Sequence, residues 1–71
     1  MSDTKRELIK ASFQPIAKAL QEQEITMYRL SKLATVNYST LLSWSNGDYK
    51  PKVDKIQSVC SALGLNYKDF I

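Results

Sequence analysis

Few side chains in this sequence could do chemistry, and most of those stand alone. There is no histidine, which removes a Ser-His-Asp triad, an imidazole general base and a histidine-ligated zinc. Cys60 is the single cysteine, so an internal disulfide and a thiolate cluster for a metal are both out of reach. No nucleophile stands beside a recognisable base, so an enzyme reading has no support, and no cofactor or metal is expected. What remains is a spacing of polarity. Residues 33–47 carry no charged side chain, Lys32 precedes them, and Asp48, Lys50 and Lys52 follow. An uncharged polar stretch framed by cations suits an element that reads bases between phosphate contacts. A half-buried helix with solvated ends has the same pattern, and on charge alone that plainer reading is the better one.

The net charge of +3, from ten Lys and Arg against seven Asp and Glu, is small. Its position is more informative. Residues 1–26 and 56–71 each balance to zero, while Arg29, Lys32, Lys50, Lys52 and Lys55 outnumber Asp48 and Asp54 in residues 27–55. The whole excess therefore flanks the uncharged stretch. A chain of 71 residues that is 44% hydrophobic and 24% charged has the composition of one folded domain near the lower size limit. Without disulfides or metal, such a domain depends on helix packing or self-association. Met1 to Lys5 lack the apolar core of a signal peptide, and no run of about 18 apolar residues could span a bilayer. The expectation is a cytoplasmic protein without membrane contact.

The elements that would carry these residues are helical throughout. Phe13, Ile16, Ala17 and Leu20 fall at i, i+3, i+4 and i+7, one face of a helix over 13–21. Ser12 is its expected cap and Pro15 lies in its first turn, where the missing N–H costs nothing. Residues 4–11 then form a separate helical turn or two with Leu8 and Ile9 as the apolar side; a single long helix kinked at Pro15 is the alternative. Thr26 caps a helix over 27–34 with Leu30, Leu33 and Ala34 inward. Asn37 caps another over 38–46, with Leu41 and Trp44 inward and Asn46-Gly47 at its end. Residues 47–52 have turn composition. A helix over 53–63 buries Val53, Ile56, Val59, Cys60 and Leu63 and stops at Gly64, with Leu65 as the apolar partner of that stop. Asn66 caps a short last helix containing Phe70 and Ile71. The expected fold class is all-α, a compact bundle of about five short helices. Residues 1–12 are a helical extension and 13–71 the domain proper.

Two helices of about eight residues joined by Thr35-Val36-Asn37 must cross steeply, which makes 27–46 a helix-turn-helix. From Phe13 to Phe70 the chain resembles the phage-repressor helix-turn-helix family of the Cro-like or XRE type. The resemblance rests on Thr26, Leu30, Ala34, Val36, Asn37, Ser39, Thr40, Leu41, Trp44, Asn46, Gly47, Pro51, Ile56, Leu63, Gly64, Leu65 and Phe70. Departures are Ser31 in place of a small Ala, Thr35 in place of a turn Gly, Met27 in place of a frequent Gln, and Ser45 in place of a common Glu. A β-branched Thr35 held at positive φ would cost about 1 kcal/mol.

The resemblance implies a sequence-specific regulator that binds double-stranded DNA, with helix 38–46 in the major groove. It assigns base contacts to Tyr38, Ser39 and Ser43, where the plainer alternative is a solvated face. Leu42, apolar on the same face, could meet a thymine methyl; its alternatives are core packing or a stray surface leucine. Phosphate contacts fall to Tyr28, Arg29, Asn46, Tyr49, Lys50, Lys52 and Lys55. Trp44 and Cys60 read as core. So small a domain is expected to act as a homodimer on half-sites about 34 Å apart, with Phe70, Ile71, Leu8 or Ile9 as interface candidates. The second reading is a protein-interaction module on the same fold, favoured by the leucine on an uncharged recognition helix.

Overall fold

A computed structural model describes residues 2–70. It contains four α-helices, α1 (Ser2–Glu22), α2 (Met27–Ala34), α3 (Tyr38–Asn46) and α4 (Val53–Leu63), and a closing 3-10 turn (Tyr67–Phe70). The fifth expected helix is thus one 3-10 turn, started by the Asn66 side chain, whose Oδ1 accepts from the Lys68 N–H at 3.1 Å. There is no strand among the described residues.

The expected break before Phe13 is absent: α1 runs unbroken through Pro15. An interior proline costs on the order of 3 kcal/mol because the carbonyl four residues earlier loses its donor. Here that carbonyl belongs to Ala11, which like Pro15 is exposed, so water can serve it. On the opposite face Ile9, Phe13, Ile16 and Leu20 form one buried stripe on both sides of the proline. Ser12 caps nothing; its Oγ donates to the Ile9 carbonyl at 2.6 Å. At 1.5 Å per residue α1 is about 31 Å long, close to the 34 Å long axis of the molecule.

The core closes around Trp44, which is fully buried. Its ring meets Phe13 edge-on at 5.1 Å and Phe70 at 6.4 Å, the arrangement aromatic quadrupoles favour. Its indole N–H donates to Ser12 Oγ at 2.8 Å. Leu30, Leu41, Ile56, Val59 and Cys60 fill the rest. Three expected inward residues face water instead: Leu8, Leu33 and Val53 are 67%, 49% and 48% exposed. Each lies at the edge of a stripe whose centre is taken by Ile9, Leu30 with Ala34, or Ile56.

All four α-helices end alike. A residue at positive φ follows each helix, directly at Thr35 (55°), Gly47 (84°) and Gly64 (74°) and one residue later at Glu24 (54°). The next N–H reaches back five residues, from Ile25 to Leu20, Val36 to Ser31, Asp48 to Ser43 and Leu65 to Cys60, at 2.8–3.0 Å. This is the Schellman closure, in which the residue donating that bond is usually apolar and packs on the helix it ends.

Candidate nucleic-acid interface

The local signals around the helix pair act as the spacing predicts, except at Asn37. Thr26 Oγ1 accepts from the Arg29 N–H at 3.1 Å and starts α2. Thr35 does take the left-handed conformation, and the chain turns within Thr35, Val36 and Asn37. Val36 is buried beneath the turn, as are Leu30 and Ala34 of α2 and Leu41 and Trp44 of α3. Ser31 is buried too, and its hydroxyl donates to the Tyr28 carbonyl, so the polar atom at this close-packed position is satisfied inside its own helix. Asn37 occupies the N-cap of α3, but its side chain makes no capping bond. The first N–H groups of α3 are therefore left without that side-chain acceptor.

With Leu41 and Trp44 inward, Tyr38, Ser39, Leu42 and Asn46 are exposed and Ser43 is half-buried. The predicted base-contacting residues thus share one outward face. Leu42 is 41% exposed, which excludes core packing as its role. Ser45 Oγ is turned back to the Leu42 carbonyl at 2.7 Å.

Asn46 apart, the predicted phosphate contacts fall into three groups. On one flank, Tyr28 and Tyr38 stand with ring centroids 6.5 Å apart, and Lys32 Nζ lies 5.2 Å from the Tyr28 ring centre. These three line a cleft of about 310 Å³ at the turn; Arg29 is exposed on the same helix. On the other flank Tyr49 and Lys55 line a smaller cleft of about 140 Å³ with Asn37, Thr40 and Pro51. Lys52, exposed, is the N-cap of α4 without a capping side-chain bond. Lys50 stands apart from the rest: its Nζ donates to the Phe70 carbonyl at 3.2 Å, tying the loop to the closing turn.

The sequence assigns no contact to three residues at this surface, although Lys32 stands there as the cation that precedes the uncharged stretch. Lys32 and Thr40 had a signal, since i+4 spacing puts Lys32 beside Tyr28 and Thr40 follows the assigned Ser39. Arg6 had none. Its Nη2 pairs with Asp48 Oδ1 at 2.7 Å and its Nη1 donates to the Asn46 carbonyl at 3.3 Å, from the far end of the chain. The interface candidates divide: Ile9 and Phe70 are core, Leu8 is exposed, and Ile71 lies outside the described residues. Among the described residues no group of three or more acidic or cysteine side chains is placed to hold a metal ion. No described helix is long and apolar enough to cross a membrane.

Two short helices crossing over a three-residue turn, the second presenting an uncharged polar face, define a helix-turn-helix domain. The family model of the Cro/C1-type HTH DNA-binding domain matches residues 16–71, and the chain belongs to that family. No curated protein matches it.

Proposed function

We propose that this protein is a sequence-specific transcriptional regulator of the phage or prophage repressor kind, acting in the cytoplasm on double-stranded DNA. The observation that carries this reading is the face of α3: Tyr38, Ser39, Leu42 and Ser43 point away from a core that holds Leu41 and Trp44 completely. Hydroxyls on that face can donate to or accept from base edges, and Leu42 can pack on a thymine methyl. Tyr28, Arg29, Asn46, Tyr49, Lys52 and Lys55 take the phosphates on either side, and Lys50 joins them by releasing the Phe70 carbonyl. Residues 13–71 are the DNA-binding unit, with 1–12 as its N-terminal extension. Two copies on half-sites about 34 Å apart supply the contact area that one copy lacks.

Duplexes selected from a random pool, followed by a salt series, test this. About four cationic contacts per protomer give a log-affinity slope against log salt of roughly −3 to −4. Ser43→Ala and Leu42→Ala each change the preferred sequence; if neither does, the groove face is misassigned. The second reading, a protein-interaction module, draws on the exposed Tyr28, Tyr38, Leu42 and Tyr49 around the same face, and predicts that no duplex is enriched.

A further inference from the structure

The four Schellman closures differ in one respect. At the ends of α1, α2 and α4 the residue that donates the long bond is Ile25, Val36 or Leu65, each packed against the core. At the end of α3 that residue is Asp48, which is exposed. The apolar contact that normally secures such an end is missing at the helix proposed to read DNA. In its place stands Arg6. The guanidinium bridges the Asp48 carboxylate and the Asn46 carbonyl, so it meets both the residue beyond the closure and one of the last carbonyls of the helix. A cation at that point also complements the helix dipole. Between these contacts Gly47 lies so close to α1 that a Cβ would come within 2.6 Å of the Arg6 carbonyl.

We infer that Arg6 is a positioning residue for α3, and that the N-terminal half of α1, outside the matched stretch of 16–71, belongs to the functional unit as the strut that carries it. Arg6 holds the C-terminal end of the recognition helix and neutralises Asp48, which directly precedes the proposed phosphate contacts Tyr49 and Lys50. The helix-holding part stands by itself; its bearing on DNA rests on the reading proposed above.

The test compares the full chain with Arg6→Ala, Asp48→Asn and the double variant. In the free proteins, Arg6→Ala speeds amide exchange at Gly47 and Asp48 by about two- to fivefold, the range an exposed ion pair commands, and leaves Leu65 unchanged. On the selected duplex it weakens affinity by a similar factor at low salt, and by less as salt screens the pair and the uncovered Asp48. The loss shrinks in the Asp48→Asn background, where no acid is left to uncover. Unchanged exchange at Gly47 and Asp48 overturns the inference. So does a slope reduced by about 0.9 with a loss undiminished in the Asp48→Asn background, because Arg6 would then be a phosphate ligand itself. If the wild type enriches no duplex while exchange responds as stated, the DNA reading fails and the helix-holding role of Arg6 stands.

Discussion

Gly47 and Gly64 offer a controlled comparison. Both end a helix in the left-handed region, at φ 84° and 74°. A side chain at either therefore meets the same conformational cost, about 1 kcal/mol. Their surroundings are opposite. A Cβ on Gly64 meets nothing within 4 Å, whereas one on Gly47 comes within 2.6 Å of both the carbonyl oxygen and Cγ of Arg6, and 2.9 Å of Lys10 Cγ. The side-chain atoms can swing away; the Arg6 carbonyl is part of α1 and cannot move without the helix. Relieving such a contact costs a further 1–3 kcal/mol or so. Gly64→Ala should thus lose about 1 kcal/mol and Gly47→Ala about 2–4. A chain of 71 residues has about 4–11 kcal/mol in all, so the second variant gives up a large share of its stability. Urea denaturation with shared m-values reads both, and melting should fall about 4–8 °C for Gly64→Ala and a multiple of that for Gly47→Ala. Adding Arg6→Ala to Gly47→Ala removes the Cγ clash but not the carbonyl one, and restores only part. Equal losses at the two glycines, within about 0.5 kcal/mol, would refute the close packing of α1 on the end of α3.

The same logic runs in reverse at the two helix ends that lack glycine. Glu24→Gly and Thr35→Gly should each raise stability by about 0.5–1 kcal/mol, less than the relieved strain because glycine also frees the unfolded chain; thermal melts check both. Ser12→Ala leaves the buried Trp44 indole N–H without its acceptor and should cost about 1–3 kcal/mol, visible in the urea midpoint. Burial first, and the Asp69 carboxylate second, raise the Cys60 thiol above its ordinary range. The folded state therefore holds this proton at alkaline pH where the unfolded state has released it. That contribution is complete below the unfolded pKa and is lost as pH rises toward the folded one. Alkaline destabilisation should be shallower in Cys60→Ala than in the wild type, measured as urea midpoint against pH.

What was legible in the sequence, and what was not, follows from the reach of the signals. The limits of α2, α3 and α4 agree with the spacing because each is bounded by local chemistry, Thr26 at one start and Gly47 and Gly64 at two stops. The outward face of α3 was legible for the same reason, since burying Leu41 and Trp44 leaves Tyr38, Ser39 and Leu42 no other direction. α1 was misread because the proline rule is local and the reason to override it is not. Only once Trp44 is in place do Ile9, Phe13 and Ile16 become one stripe worth keeping helical across Pro15. Leu33 and Val53 illustrate the limit of periodicity, which finds a stripe but not its width. The contact between Arg6 and Asp48 spans most of the chain, and neither residue type carries any mark of the other.

The division of charge around α3 gives this distant contact its weight. Lysines on flexible stems act on phosphates over distances comparable with the Debye length, about 8 Å at physiological salt, and tolerate small displacements. Hydroxyl contacts to base edges do not, because a hydrogen bond is gone by about 3.5 Å. The proposed recognition face, made of Ser39, Ser43, Tyr38 and Leu42, has no charge to act at longer range, so on that reading its discrimination depends on where α3 is held. The helix is secured accordingly, with Trp44 in the core, Gly47 against α1 and Arg6 on its last carbonyl. Loosening that frame should erode the preference between duplexes, whereas removing a cation should not. Lys52→Ala is the contrasting case: selected and random duplexes should weaken together, with the salt slope smaller by about 0.9. A loss confined to the selected duplex would mean that Lys52 reads sequence, and that the division between charge and hydroxyl is drawn in the wrong place.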